Sequence, residues 1–203
     1  MEVQKAEYEL TYIKGLMEES RRSLAENGIG YILWGILVVI GIMFNYLRLM
    51  DITSINPTYV WIAVVGLGWI ITIVGISKEK KTFKARTISD KVLGAVWFSA
   101  GLSMTMVGFA GTMSGTISGY GILPLMSVIL GIAYFVSGTV YGEKWIRFIG
   151  FGWWITSAVF MYWKSIHSLA IFAGLMVLFQ IIPGLYFYNK WRKQYNGKQE
   201  VTA

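Results

Sequence analysis

Apolar positions along the chain fall into six long runs separated by short polar stretches. Each run approaches the ~20 residues that a helix needs to cross about 30 Å of hydrocarbon. Because an open strand would leave backbone groups unpaired in lipid, all six runs predict helices. The expected fold class is therefore all-α, a polytopic membrane helical bundle with six transmembrane helices. The predicted spans are residues 28–47, 58–77, 91–112, 120–141, 145–163 and 167–189.

The polar stretch before the first run has a different pattern. Between residues 2 and 26, apolar side chains recur mostly three or four positions apart, with Lys, Arg and Glu between them. This spacing predicts an amphipathic helix at the membrane interface. The expected domains are a cytoplasmic amphipathic helix at 1–26, a six-helix transmembrane domain at 27–190 and a cytoplasmic tail at 191–203.

The composition supports a membrane assignment, and the placement of charge orients the chain. Of the 203 residues, 55% are hydrophobic and 14% are charged, which is too apolar for a soluble domain. Sixteen of the eighteen Lys and Arg lie in the N-terminal segment, the connections at 78–91 and 144–147, and the C-terminal tail. The positive-inside rule therefore predicts a multi-pass protein of the cytoplasmic membrane with both termini in the cytoplasm. Because these cations can contact anionic headgroups, the net charge of +7 requires no nucleic acid.

The spans show signs of an internal repeat. Trp34 and Trp97 are 63 residues apart, as are Gly75 with Gly138 and Lys81 with Lys144. A third copy matches "SGTVYGEKW" (137–145) to "PGLYFYNKW" (183–191), and "GAVW" (94–97) to "GFGW" (150–153). This pattern predicts three tandem helical hairpins of the same orientation, as in transporters built around a central site. The Pro-x-acidic-x-x-basic motif of three-hairpin mitochondrial carriers is absent, so that resemblance fails.

Glycines are concentrated in and after the third span, in a stretch that ends with "GTMSGTISGYG" (111–121). Their spacing of seven and four residues predicts a small-residue face for helix packing, which could be buried within the monomer or against a second copy in a homo-oligomer. A phosphate-binding loop would need a preceding strand and a Gly-Lys-Ser/Thr ending, and neither is present. The predicted packing residues are Gly94, Gly101, Gly108, Gly111, Gly115 and Gly119.

Residues for catalysis or for cofactor binding are scarce. The chain has no cysteine and a single histidine, His167, which begins the sixth predicted span. Rhomboid proteases pair such a His with a Ser in a Gly-x-Ser-Gly motif, but "GTMSG" and "GTISG" have one residue too many and precede the fourth span. We therefore expect no catalytic residue, no metal site and no cofactor, and a protein that is not an enzyme.

Uncharged polar residues inside the spans are the remaining candidates for a site. Pro183 removes the partner of a backbone carbonyl one turn earlier, and a kink there could shape a cavity or hinge beside Gln180. A kink filled by neighbouring side chains is an equal alternative. Thr105 and Ser137 would line the same midplane cavity.

The N-terminal stretch "YELTYIKGLMEESRRSLAENGIGYILWGILVVIG" (8–41) resembles an uncharacterised family of small six-span bacterial membrane proteins. In that family a short amphipathic helix leads directly into a Gly-rich first span. The resemblance implies five further spans and a gene often encoded beside a winged-helix regulator, and it offers no catalytic residues. The matching positions are Leu10, Ile13, Met17, Glu18, Ser20, Arg21, Gly28, Gly30 and Gly35.

Two functions are compatible with these observations. The first is a non-enzymatic scaffold, sensory or regulatory role in the lipid bilayer. In that role the N-terminal helix and the basic cytoplasmic face would contact lipid headgroups or a protein partner. The alternative is a carrier or channel for a small neutral or lipophilic solute, with three hairpins around a cavity lined by Gln180, Thr105 and Ser137.

Overall fold

The computed structural model describes residues 28–82 and 88–202, with side chains described within 28–75 and 89–193. This part of the chain is helical and contains no strand. The amphipathic helix predicted for residues 1–26 lies outside the described residues. The helices are α1 (Ile29–Leu49), α2 (Pro57–Thr82), α3 (Ile88–Met106), α4 (Gly119–Tyr141), α5 (Lys144–Tyr162), α6 (Ser168–Met176) and α7 (Ile182–Thr202).

Two π-helical segments continue these helices. The segment π1 (Val107–Gly111) extends α3, and π2 (Val177–Ile181) joins α6 to α7. Pro183 follows π2 directly and has no N–H, so the carbonyl of Phe179 loses its α-helical donor. The chain thus adopts π geometry over the turn that precedes the proline, which is a common way to accommodate such a disruption.

Five of the six predicted spans are long and apolar enough to cross a bilayer: Ile29–Leu49, Pro57–Gly75, Ser89–Gly111, Gly119–Tyr141 and Ser168–Lys193. The predicted span at 145–163 forms a helix, α5, but falls outside this group. Its sequence contains two cations, Lys144 and Arg147, together with three tryptophans and the adjacent Thr156 and Ser157, and these lower its mean hydropathy. The described residues are therefore helical and contain five candidate membrane spans.

Local sequence signals define the ends of several helices. Pro57 occupies the first position of α2, where its missing N–H costs nothing, and the Asn56 side chain accepts the Thr58 N–H at 2.9 Å. At the other end of the bundle, Gly142 ends α4 in the left-handed conformation, with φ 70°. The Glu143 N–H then bonds the Gly138 carbonyl at 3.0 Å, and α5 begins at the next residue.

Helix α4 is the centre of the bundle. Half of its most apolar stretch is buried, against 11% in α2 and in α3, and it contacts both α3 and α5. The α4–α5 interface is the largest among the described helices and depends on glycines. A Cβ at Gly150 would lie 2.9 Å from the Gly131 carbonyl oxygen and 2.9 Å from the Phe135 nitrogen. The two backbones are therefore closer than any side chain would allow.

Helix α1 is held against the last span by a second set of glycines. Gly28 lies directly against the Gly184 carbonyl, and a Cβ at Gly184 would lie 3.0 Å from the Ile32 nitrogen. About two turns after Gly28, Gly35 packs under the Ile181 side chain of π2. These glycines bring the first and last spans together. Because α1 also contacts α2, the first helix lies between the second helix and the last span.

A matched pair of substitutions distinguishes the effect of close packing at α4–α5 on stability from the effect of helix propensity. Gly150→Ala forces the α4 and α5 backbones apart, so we expect it to lower the free energy of unfolding by about 1–3 kcal/mol. Gly94→Ala is the control, because nothing lies within 4 Å of a Cβ there. It should leave stability unchanged or raise it by up to about 1 kcal/mol through helix propensity. Unfolding in mixed micelles measures both, and equal effects would contradict the close-contact explanation.

Candidate functional site

A tryptophan on α1 is joined to a threonine on α2. Trp34 Nε1 donates to Thr72 Oγ1 at 3.1 Å, and the Thr72 hydroxyl donates in turn to the Gly68 carbonyl at 2.7 Å. Gly68 lies one turn before Thr72, and its missing Cβ lets the indole ring lie against the helix, 2.7 Å from an ideal Cβ position. The sequence Gly-x-x-x-Thr therefore supplies both a recess for the ring and an acceptor for its N–H.

The same arrangement recurs between α2 and α3. Trp69 Nε1 donates to Thr105 Oγ1 at 3.2 Å, and Thr105 donates to the Gly101 carbonyl at 2.8 Å. The Trp69 ring covers Gly101, where a Cβ would lie 3.3 Å from the indole. The sequence predicts that Thr105 lines a midplane cavity with Gln180 and Ser137, but its hydroxyl is engaged between α2 and α3.

A polar and aromatic cluster joins α3 to α4 and α4 to π2. Trp97 Nε1 donates to Ser137 Oγ at 3.1 Å, and the Tyr134 hydroxyl donates to Gln180 Oε1. Ser137 and Gln180 are 0% and 3% exposed. The Tyr31 ring completes the cluster, with its centroid 5.0 Å from that of Trp97. The structure thus brings two predicted site residues, Ser137 and Gln180, to the same part of the core.

These four bonds form one series, which we call the interhelical series. Its members are Trp34–Thr72, Trp69–Thr105, Trp97–Ser137 and Tyr134–Gln180. The first three each join a helix to the next one along the chain, and the fourth joins α4 to the last span. Hydrogen bonds of this kind contribute about 0.6 kcal/mol each on average in membrane proteins. Their main effect is to fix which faces of neighbouring helices meet.

The third hairpin lacks the corresponding bond. Trp153 is the match of Trp97 in the predicted repeat and is fully buried, but its Nε1 has no hydrogen-bond partner among the described residues. Its ring packs instead against Phe172 and Phe179, with centroids 5.2 and 5.6 Å away. In the register of the repeat, Ser137 matches Pro183, which has no hydroxyl to accept an indole N–H.

The predicted glycine face is only partly used for helix packing. Gly101 lies under Trp69, and an ideal Cβ at Gly108 would be 3.5 Å from Met126 Cε on α4. Gly111 ends π1 and packs against Ile117 of its own connecting turn. Nothing lies within 4 Å of a Cβ at Gly94, Gly115 or Gly119. The helical geometry that would align Gly115 with the earlier glycines ends before that residue, which has φ 71° in the turn.

The residues considered for a rhomboid-like dyad have other partners. His167 Nδ1 lies 3.1 Å from the Tyr46 hydroxyl, which joins the end of α1 to the start of α6. The Ser114 hydroxyl lies 2.9 Å from that of Thr116. Within the described ranges, no group of three or more His, Cys, Asp or Glu is placed to hold a metal ion.

Charged and aromatic side chains meet at the turn between α4 and α5. Lys190 Nζ on α7 lies 3.8 Å from Glu143 Oε1 and 6.0 Å from the centre of the Tyr186 ring. The Trp145 ring packs against Tyr186, with centroids 5.2 Å apart. The Arg147 stem lies against α4, where a Cβ on Gly138 would be 2.6 Å from its Cγ. This end of the bundle therefore joins the α4–α5 turn to the beginning of the C-terminal tail.

Sequence reasoning identified Gln180, Ser137 and Thr105 as polar residues but missed their partners. The missed residues are Trp34, Trp69, Trp97, Thr72 and Tyr134. A usable signal exists, because each Trp precedes its hydroxyl partner by 36 to 40 residues, and two of the partners end a Gly-x-x-x-Thr sequence. That spacing predicts a hydrogen bond only when it is known which helices are neighbours.

No protein-family model, curated protein or solved structure matches the chain. The resemblance of residues 8–41 to a bacterial six-span family therefore stays a prediction.

The Tyr134–Gln180 bond can be tested by a double-mutant cycle. Tyr134→Phe leaves a buried carbonyl without its donor, so we expect the free energy of unfolding to fall by about 1–3 kcal/mol. Adding Gln180→Leu should cost less than the sum of the two single changes, with a coupling of about 0.6–1.7 kcal/mol. Tyr59→Phe, at a side chain that is 71% exposed, is the control. Strictly additive effects would argue against the bond.

Proposed function

We propose that the chain is a non-enzymatic, six-span protein of the cytoplasmic membrane with a scaffold, sensory or regulatory role. Its N-terminal helix and basic cytoplasmic face contact lipid headgroups or a protein partner. One observation carries this proposal. The polar side chains that would line a solute path, Thr105, Ser137 and Gln180, are each engaged by an aromatic side chain of a neighbouring helix. The polar side chains of the interior therefore take part in helix packing. The charged end of the bundle remains as the surface for recognition.

The length and the ends of α5 support a sixth span. Its 19 residues extend about 28 Å, close to the thickness of the hydrocarbon region. Lys144 and Arg147 lie in its first turn, where long cationic side chains can reach the interface. Tyr162 ends the helix and is 92% exposed, which suits the opposite interface.

The interhelical series supports the proposal of tandem hairpins. Trp34 and Trp97, which are 63 residues apart, both donate to a hydroxyl group on the second helix of their own hairpin. Their acceptors are not at matching positions, because at the 63-residue spacing Thr72 corresponds to Phe135 and Ser137 corresponds to Val74. The third hairpin keeps the tryptophan and has Pro183 where the second hairpin has Ser137. Relative to the second hairpin, the missing acceptor agrees with the buried Trp153 N–H, which has no hydrogen-bond partner among the described residues.

The chain contains no cysteine, so single-cysteine variants give an unambiguous topology test. With six spans and cytoplasmic termini, a membrane-impermeant maleimide should label Asp51→Cys, Ser114→Cys and Tyr162→Cys in intact cells. Lys144→Cys and Lys193→Cys should react only after permeabilisation. If α5 does not cross the membrane, Tyr162→Cys will be protected and Lys193→Cys will be labelled from outside.

A carrier for a small neutral solute is the second candidate, and π2 favours it. This segment places Gln180 one turn before Pro183, and π segments within helices are frequent at functional sites. Opening a path there requires the Tyr134–Gln180 bond to break. Glycerol or urea flux in proteoliposomes distinguishes the two functions. We expect rates equal to those of protein-free liposomes, and a protein-dependent increase would favour the carrier.

The basic face predicts a preference for anionic lipid. Lys144, Arg192 and Lys193 are exposed at the end of the bundle that carries the α4–α5 turn. Replacing all three with Gln should reduce enrichment of phosphatidylglycerol around the protein, by about 1 kcal/mol or fivefold per cation at most. The enrichment is measured from the quenching of tryptophan fluorescence by brominated phosphatidylglycerol, compared with the quenching by brominated phosphatidylcholine. Lys164→Gln, at the opposite end of α5, is the control and should change nothing.

A further inference from the structure

Arg147 is a cation whose hydrogen bonds are incomplete. It lies in the first turn of α5, and its Nε atom is buried without a hydrogen-bond partner among the described residues. No described carboxylate lies within 4.0 Å of its guanidinium, and the nearby Glu143 is paired with Lys190. A guanidinium has five N–H donors. The Nε donor is covered, but Arg147 as a whole is only partly buried, so an external acceptor with several oxygens would meet the terminal nitrogens of the guanidinium.

The side chain is also fixed in place. Gly138 leaves room on α4 for the Arg147 stem, since a Cβ there would lie 2.5 Å from the Arg147 backbone nitrogen and 2.6 Å from its Cγ. The stem is therefore packed against α4, and part of the ordering cost of binding is already met by the fold. Lys144 adds positive charge at the same turn, where the charges of Lys190 and Glu143 offset each other.

The surface beyond Arg147 indicates what the acceptor is attached to. Phe151, Ile155 and Val159 follow at intervals of four residues, so with Arg147 they lie along one side of α5. They are 47%, 65% and 47% exposed. From Arg147 to Val159 the helix rises about 18 Å, close to the depth of one hydrocarbon leaflet. The surface thus has a cation at headgroup level and an apolar track below it.

We propose that Arg147 binds the phosphate group of an anionic phospholipid whose acyl chain lies along Phe151, Ile155 and Val159. Planar guanidinium groups match phosphate oxygens in a bidentate geometry that an ammonium group cannot reproduce. This inference deepens the proposed function and rests on it, because it assigns one specific headgroup site within the basic face. This lipid differs from the loosely enriched lipids because the protein binds both its phosphate group and its acyl chain.

Native mass spectrometry of the full-length protein, titrated with phosphatidylglycerol, tests the site. The wild type should retain one tightly bound lipid. Arg147→Gln should weaken that binding about tenfold, as expected for a lost charge-assisted contact of ~1.4 kcal/mol. Arg147→Lys keeps the charge and should fall between the two. Thermal unfolding in dodecyl maltoside, a detergent without phosphate, should be the same for all three proteins, and unchanged retention in Arg147→Gln overturns the proposal.

Two further measurements distinguish a lipid bound at Arg147 from free phosphate and from lipid attracted by the whole basic face. Inorganic phosphate alone should not stabilise the protein in detergent; stabilisation by phosphate that requires Arg147 would overturn the lipid assignment. The variant with Gln at Lys144, Arg192 and Lys193 should lose loosely bound lipid and keep the single tight one. If the triple variant loses bound lipid and Arg147→Gln loses none, the site at Arg147 is refuted and the proposed function stands. If Arg147→Gln loses the tightly bound lipid and the triple variant loses no lipid, the site is supported and the general role of the basic face is contradicted.

Discussion

In a bilayer, apolar side chains gain nothing by leaving lipid for the protein interior, so contacts of another kind must select how helices pair. Two such contacts organise this chain. Glycines let backbones approach at α4–α5 and α1–α7, and the interhelical series joins neighbouring helices through indole, phenol, hydroxyl and amide groups. The remaining packing, including the ring contacts around Tyr31 and Trp153, fills the space that these contacts define.

The two kinds of contact act on different parts of the bundle. The α4–α5 hairpin has the largest interface among the described helices and direct backbone contact at Gly138 and Gly150, whereas α2 is joined to both α1 and α3 by indole–threonine bonds. Close packing at α4–α5 fixes the position of Arg147 and of the turn that meets α7. The most closely packed hairpin among the described residues therefore carries the charged end.

The sequence predicted the helices well because length and hydropathy are local properties. Boundaries such as Pro57 and Gly142 also depend on local chemistry. The packing residues depend on which helices are neighbours, and that information is tertiary. Gly94 and Gly101 share a seven-residue spacing, but only Gly101 faces an indole ring. In the same way, Gln180 was recognisable as an unusual polar residue in a span, whereas Tyr134 is indistinguishable from other aromatic residues until α4 is placed beside π2.

The order of the hydrogen bonds in the interhelical series has a consequence for biogenesis. Three of the four connect a helix to the one synthesised immediately after it, across 36 to 40 residues. Each new helix can thus dock on its predecessor as it enters the membrane, with a short loop to close and no need to wait for distant segments. Only the Tyr134–Gln180 bond skips a helix, so the bundle is completed when the final span arrives and meets both the core and the first helix.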